Sequence, residues 1–505
     1  MILNKKEYFF FAIIFISTLI YYMLIRQYGF SLADEGFLWY GAWQTSLGST
    51  PIADFQSYDP FRYYWIANWF DFFNSHNISI LRISIYLFGL FGLFGLLYIL
   101  KQINKQHDYL YSVFTVLFFL LWIFPYWKIF EHVVSIMSII VLYKLASNFS
   151  SNKWLIISGI YTSFLFFYGR NHALYMHIAV VSMFLIFYIW NHNFKFILKK
   201  VYIFTIGYML GLIPTLYMII FIDGYWHKIQ EWLIWFISRG VTTNLHKPYV
   251  LPWHVSYANF NYFGISNILF SYFSLFMIII FIFSIIVLFR LIIKKEKDYL
   301  LLASSLFVIV YFHYFSSRPD LGHLAQTIMP SFIFISILIL RTRLFKYIFI
   351  ILLISLSLIV TKNPIVVQYL YPGAYKKVNI SGHVIYVGKK QKRELDFLNK
   401  YLGNKAENVF CIPNLISIYS MYSLKSPTYD LYYILSRGKA YQEGIINDLK
   451  INDIKLIILK KHKYDGREDM LFQHTYPIVY SYIKKNYIIK DKINNILIYE
   501  KIGTQ

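Results

Sequence analysis

Cysteine is nearly absent from this 505-residue sequence. Cys411 stands alone, which excludes a disulfide framework and a cysteine-built zinc or iron–sulfur centre. Charge is scarce as well: 14% of the residues are charged against 58% hydrophobic and 21% aromatic. A chain this apolar is not an ordinary soluble globular protein; it reads as a polytopic α-helical membrane protein. Acids are the rarest charge, 25 against 48 Lys and Arg. The formal charge of +23 points away from nucleic acid, because the basic residues sit in short clusters between apolar runs, where they act as topology signals and touch lipid headgroups. There is no glycine-rich phosphate loop between a strand and a helix and no short D-x-D run, so a soluble nucleotide-sugar donor has no evident site.

Apolar runs long enough for about 30 Å of hydrocarbon fall near residues 8–27, 79–100, 109–126, 132–147, 154–168, 173–190, 197–222, 265–292, 299–316, 324–340 and 345–361, about eleven helices. The first is too long for a secretory signal and reads as an uncleaved anchor. Lys5, Lys6, Lys101, Lys105, Lys144, Lys153, Lys195, Lys199, Lys200, Arg290, Lys294, Lys295, Lys297, Arg341, Arg343 and Lys346 share one side. That bias predicts a cytoplasmic N-terminus in a multi-pass protein of the cell membrane, with everything after residue 361 outside.

The few acids are unevenly placed. Of those before residue 362, Asp34, Glu35, Asp54, Asp59, Asp71, Glu131, Asp223, Glu231 and Asp320 fall in predicted outer loops. Carboxylates beside a bilayer need solvent, a cation or a basic partner, so a polar cleft on that face is the economical reading; solvated loops are the alternative. The chain divides into a transmembrane region, 1–361, with a first outer loop at 28–78 and a long one at 223–264, and an extracytoplasmic α/β domain, 362–505. The latter alternates β-rich runs at 383–387, 408–412, 454–460 and 495–500 with helical patterns at 392–402 and 441–450. Its net charge of about +11 suits anionic headgroups or polymer.

The outer loop opening with "DEG" at residue 34, then "PIADF" and "YDPFRYYW", resembles the first loop of the GT-C integral-membrane glycosyltransferases. The likeness is to the branch of protein O-mannosyltransferases and bacterial lipid A aminoarabinose or galacturonosyl transferases. "RPDLGHL" (318–324) entering a span, and "EGIINDLKINDIKLIIL", "YPIVYSYIKKNYII" and "NILIYEK" in the tail, extend it over nearly the whole chain. The resemblance implies an inverting glycosyltransferase that moves a hexose or pentose from a polyprenyl-phosphate donor on the outer membrane face. The acceptor is a lipid, glycan or protein, and Asp34 is the residue carried over as general base. A carboxylate suits that task, since it takes the hydroxyl proton as the acceptor attacks; the local alternative is a helix N-cap. Glu35 is a substrate-binding candidate or a favourable charge at a helix N-terminus. Asp54, with no evident local role, is a candidate to line the donor or acceptor site. Asp59 before Pro60 reads as a cap for an interfacial aromatic helix.

In the second outer loop, "YWKIFEHV" (126–133), Glu131 matches a second family acid by position only. It would orient substrate or hold a divalent cation, Mg or Mn, with Asp34, although the resemblance does not require a metal. "YGRNHALY" and "SRPDLGHLAQ" put Arg170, His172, Arg318 and His323 at outer helix ends, where cationic multidentate donors would bind a lipid phosphate; snorkelling is the alternative. The tryptophan-rich stretch 226–241 suits a helix lying flat over a cleft or an anchor. Two other classes compete: a transporter or flippase for a lipid-linked glycan, and a non-catalytic cell-envelope scaffold. Charges inside spans and repeated broken helices, which mark transporters, are not evident.

Overall fold

The computed structural model describes residues 5–103, 108–123, 125–239, 245–340, 345–403 and 408–503. Lys105, Arg341, Arg343 and part of the 226–241 stretch lie outside these. In chain order the helices are α1 (Lys5–Ile25), α2 (Asp34–Ser46), α3 (Phe61–Phe72), α4 (Ile78–Ile103), α5 (Tyr109–Trp122), α6 (Ile129–Ser147), α7 (Asn152–Tyr168), α8 (Arg170–Asn191), α9 (Phe194–Gly211), α10 (Ile213–Phe221) and α11 (Tyr225–Arg239). They continue as α12 (Tyr262–Lys294), α13 (Tyr299–Ser316), α14 (Leu321–Ile339), α15 (Lys346–Val360), α16 (Pro364–Leu370), α17 (Lys389–Leu402), α18 (Ser417–Met421), α19 (Lys439–Ile451), α20 (Phe472–Thr475) and α21 (Pro477–Asn486).

Every apolar run has become a helix, and the chain is a polytopic helical membrane protein with a C-terminal α/β region. Among the described residues, six helices are long and apolar enough to cross a membrane, or up to eight if each of two bent pairs is one span. Proline explains the bends. The run read as 197–222 turns by 47° between α9 and α10, where Pro214 takes the second helical position, and the last run continues through a 69° bend into α16, which begins on Pro364. Several helix starts are capped by their own side chains. Asp108, Asn193, Asn261, Asp298 and Asp320 each accept a backbone N–H of the first turn.

The C-terminal region holds a hairpin, β1 (Tyr375–Ile380) with β2 (His383–Gly388), turned at Ser381 and Gly382, both of positive φ. A four-stranded sheet follows, ordered β3 (Val409–Ile412), β4 (Leu456–Lys460), β6 (Ile496–Lys501), β5 (Tyr487–Ile493), with β3 parallel to β4 and the other pairs antiparallel. The strands β1 and β5 are additional to those read from the sequence. Phe410, Ile457, Val479, Ile483 and Tyr499 belong to one buried apolar cluster between this sheet and helices α19 and α21.

The chain resolves into two compact units that do not follow sequence order. One, largely helical, comprises Met1–Ile25, Ile83–Phe221 and Ile229–Val367; the other, of mixed structure, comprises Arg26–Arg82, Ile222–Lys228 and Gln368–Gln505. The first outer loop therefore folds with the C-terminal α/β region.

Candidate functional site

Asp34, Glu35 and Asp54 belong to the mixed unit, and the segment leading to Asp34 is held throughout by residues far along the chain. Gly29 donates its backbone N–H to Tyr386 (2.9 Å) and Tyr386 donates to Gln27 (2.7 Å), so this segment pairs beside β2. Gln391 donates to the Phe30 carbonyl (2.6 Å), Ser417 N–H to Leu32 (2.9 Å) and Ser417 Oγ to Ser31 (2.7 Å). Helix α2 can approach α18 this closely because Gly36 has no side chain: a Cβ there would lie 2.2 Å from the Ser417 backbone nitrogen.

The adjacent carboxylates have opposite surroundings. Glu35 is fully buried and forms a two-pronged ion pair with Arg82, Nε to Oε1 at 2.8 Å and Nη2 to Oε2 at 3.0 Å, while also accepting the Ser31 N–H at 3.2 Å. Arg82 donates further to the Gly29 carbonyl (2.7 Å) and to that of Arg26. Asp34 is half-buried at the first position of α2, not at the cap. Its N–H is taken by Ser31 Oγ (3.1 Å), and its Oδ1 accepts a hydrogen bond from the Tyr432 hydroxyl (2.5 Å). Among the described residues, Oδ2 has no hydrogen-bond partner.

Tyr432 is itself fixed. Gln56 Oε1 accepts the backbone N–H groups of Leu431 and Tyr432, both at 2.8 Å, and the Tyr432 ring lies 4.8 Å from that of Phe37, which also meets Tyr58 at 4.7 Å. Burial, reinforced by the Asp34 charge, pushes the Tyr432 hydroxyl well above its ordinary range, so it stays a donor. Burial and the same charge raise Tyr464, whose hydroxyl has no partner among the described residues. Asp34 thus holds one tyrosine by a hydrogen bond and acts through its charge on a second, and neither carried a signal in the sequence.

Asp54 has the local role that was not evident in the sequence. It is exposed, and its Oδ2 accepts the Thr50 N–H at 2.6 Å while its own N–H bonds the Thr50 carbonyl, closing a turn. Asp59 stands one residue before the N-cap position of α3, which is Pro60 and makes no side-chain cap bond. Proline presets helical φ, which suits it to the start of the helix.

Glu131, Arg170, His172, Arg318 and His323 belong to the helical unit, where Glu131, His172, Arg318 and His323 join one run of contacts. Glu131 is buried in the first turn of α6, and its main-chain carbonyl accepts from Tyr311 (3.2 Å). The buried His172 ring stacks beside Tyr311 and Tyr314, 5.8 Å from each, and those two rings stack on one another at 5.6 Å. Tyr314 donates to Gln326 (2.8 Å) and its ring lies 5.6 Å from that of His323. Asp320 gathers the far end, bonding His323 Nδ1 at 2.8 Å and Arg318 Nε at 2.7 Å, while Arg318 Nη1 donates to the Leu245 carbonyl at 2.8 Å. Burial alone would raise the Asp320 carboxyl, but His323 and Arg318 outweigh it and hold the group well below the usual carboxylate range. Arg170 is exposed at the start of α8. Tyr311 and Tyr314, which join these residues, were not singled out in the sequence; their spacing, which puts them on one face of α13, is the signal that could have found them.

Among the described residues no group of three or more His, Cys, Asp or Glu side chains could hold a metal ion, so the donor set that cation coordination needs is not gathered.

No family model and no curated protein matches the sequence. Among solved structures, ArnT from Cupriavidus metallidurans, bound to undecaprenyl phosphate, superposes with a TM-score of 0.56 at 8% identity, covering 98% of each chain. The archaeal oligosaccharyltransferase AglB from Archaeoglobus fulgidus, in complex with an inhibitory peptide and a dolichol-phosphate, aligns with a TM-score of 0.43 at 11% identity, covering 99% of this chain and 75% of that one. The first shows that the chain has a GT-C fold from end to end.

Proposed function

We propose, for a chain with the GT-C fold, that it transfers a sugar from a polyprenyl-phosphate-linked donor to a hydroxyl of a lipid, glycan or protein acceptor on the outer face of the membrane. The observation that supports this most directly is the contrast between Asp34 and Glu35. Asp34 has one carboxylate oxygen held by Tyr432 and the other without a partner among the described residues, whereas both oxygens of Glu35 are taken by Arg82. A general base must be oriented and still have a lone pair to accept a proton. Asp34 meets both requirements.

In this reading the acceptor hydroxyl attacks the anomeric carbon from the face opposite the phosphate. Its proton passes to Asp34 Oδ2, the new glycosidic C–O bond forms, the bond to the lipid phosphate breaks, and a single displacement inverts the centre. Tyr432 holds the carboxylate in register, and Glu35 with Arg82 anchors the loop that presents it. Arg318 and His323, preset by Asp320, are assigned to the departing phosphate together with Arg170; His172 and Glu131 are assigned to orienting the donor. No step runs through a metal. The reading places the N-terminus in the cytoplasm and the α/β region outside, and it fits the undecaprenyl phosphate found on the ArnT neighbour.

The test is transfer by purified protein in proteoliposomes, using undecaprenyl-phosphate pentoses and hexoses and membrane glycans as acceptors. Asp34→Asn keeps the shape and the Tyr432 contact but cannot take the proton, so turnover should fall by roughly 10²–10⁴-fold with unchanged thermal stability. Wild-type turnover in that variant would overturn the assignment of the base.

A further inference from the structure

Past the last apolar helices the chain turns basic without compensation. Residues 364–393 hold Lys376, Lys377, Lys389, Lys390, Lys392 and Arg393 and no Asp or Glu. The middle of that run folds as the hairpin β1–β2, where Lys376 and Lys377 are both exposed on β1 and neither has an ion-pair partner among the described residues. Adjacent like charges repel, so an anionic surface opposite them lowers their energy.

The same hairpin gathers tyrosines. Tyr375 and Lys377 share one face of β1, and Lys377 lies opposite Tyr386 of β2. The Tyr28 ring stacks on that of Tyr386 at 5.2 Å and meets that of Tyr375 edge-on at 5.2 Å, and all three residues are half-buried. Just before the hairpin, Tyr369 is 83% exposed, and Leu370 and Tyr371 are exposed as well. Tyrosine beside lysine is the pairing that membrane–water interfaces favour, with the ring at headgroup level and the ammonium reaching the phosphates.

Chain length limits how far this face stands from lipid. The apolar helix α1 ends at Ile25, and Tyr28 follows three residues later, about 11 Å away at full extension. The bent α15–α16 pair ends at Leu370, and Tyr375 follows five residues later, about 18 Å away at full extension. The headgroup layer is itself about 5–8 Å deep on each face of a bilayer. Two short tethers therefore keep the tyrosine face beside that layer.

We infer that the β1–β2 hairpin is a docking face for anionic phospholipid headgroups, with Lys376 and Lys377 on the phosphates and Tyr369, Tyr371 and the Tyr28–Tyr375–Tyr386 group at the level of the glycerol. The inference stands apart from the transferase reading, because it concerns lipid of the bilayer and neither donor nor acceptor. A soluble anionic polymer would engage the lysines but would make no use of the exposed tyrosines or of the short tethers. Gly29 donates its backbone N–H to Tyr386, so a hairpin seated on lipid also steadies the segment that precedes Asp34.

The test uses the full-length protein with Asn379→Cys carrying an environment-sensitive dye, in neutral detergent. Asn379 is exposed on β1 and the native Cys411 is buried, so the label reports on the hairpin. Dioctanoyl phosphatidylglycerol, titrated as a mole fraction of the micelle, should shift the emission at about tenfold lower fraction than dioctanoyl phosphatidylcholine, and salt at about 0.5 M should remove most of that preference. Lys376→Gln and Lys377→Gln should each weaken the phosphatidylglycerol response by about fivefold. Both lysines are exposed, so neither variant should disturb folding. Equal responses to the two lipids, a response insensitive to both lysines, a preference that survives salt, or a response to soluble polyglutamate as strong as that to the lipid would each overturn the dock.

Discussion

The helical unit and the mixed unit are held by different kinds of contact. In the helical unit, α7 and α9 touch backbone to backbone: a Cβ added to Gly207 would sit 2.1 Å from the Ile156 carbonyl oxygen, one on Gly159 2.3 Å from that of Phe204, and one on Gly211 2.2 Å from that of Ile160. Its buried hydroxyls mostly return to their own helix, as Thr162 does to Ser158 (2.7 Å) and Ser305 to Leu301 (2.6 Å). Lipid is as apolar as leucine, so helices there gain by close approach and by satisfying polar groups internally. The mixed unit instead relies on polar bonds between residues hundreds of positions apart, such as Tyr432 to Asp34 and Gln391 to Phe30. Added volume should therefore damage the first unit most, and a lost charge the second.

The largest effect on stability is expected from Glu35→Ala. It leaves Arg82 buried without its carboxylate, a loss of about 3–5 kcal/mol for breaking one side of a buried pair. Thermal unfolding in detergent should show it, and a variant within about 0.5 kcal/mol of wild type would mean that the pair is not structural. Gly207→Leu addresses the other unit, because a side chain pressed on a backbone carbonyl can be relieved only by parting α7 and α9. Overpacking of this kind costs about 1–3 kcal/mol, and unaltered stability would show that the helices are less closely packed than described.

Tyr432→Phe is subtler. Removing one donor from Asp34 should lower kcat by about tenfold while leaving donor KM unchanged, because the carboxylate loses its orientation and not its lone pair. A change confined to KM would put Tyr432 on the substrate instead. The smallest effect concerns pH. The Asp320 carboxyl is held below its unfolded value, so its stabilising contribution is complete above about pH 4 and lost as pH falls through the lower folded value. The stability gap between wild type and Asp320→Asn should shrink as the solution is acidified through that lower value. A gap that widens on acidification would reverse the sign and the explanation.

Helix existence was legible throughout the membrane region, because a run of apolar residues bounded by lysines or a capping Asp or Asn is a local signal. Strand runs at 383–387, 408–412, 454–460 and 495–500 were legible for the same reason, and β3, β4 and β6 pair into one sheet. Edge strand β5, carrying Lys490, Asp491 and Lys492, was missed because its alternation is broken by charge and by a register shift between Ile489 and Asp491. The bend at Pro214 was present in the sequence, but proline is tolerated in apolar runs, so its angle was not.

The sequence by itself determined the class of the protein, since hydrocarbon thickness and backbone hydrogen bonding leave a chain with these apolar runs few alternatives to spanning helices. It also concentrated the acids around residues 34 to 59 and marked Asp34 through a family-like motif. Only the tertiary structure decided how the neighbours Asp34 and Glu35 differ. That difference comes from Arg82, Tyr432 and Tyr464, which reach the pair from 47 to 430 residues away in the chain. Local pattern cannot carry such information, because a side chain's partner is set by which segments fold together, and here the first loop folds with the C-terminal region.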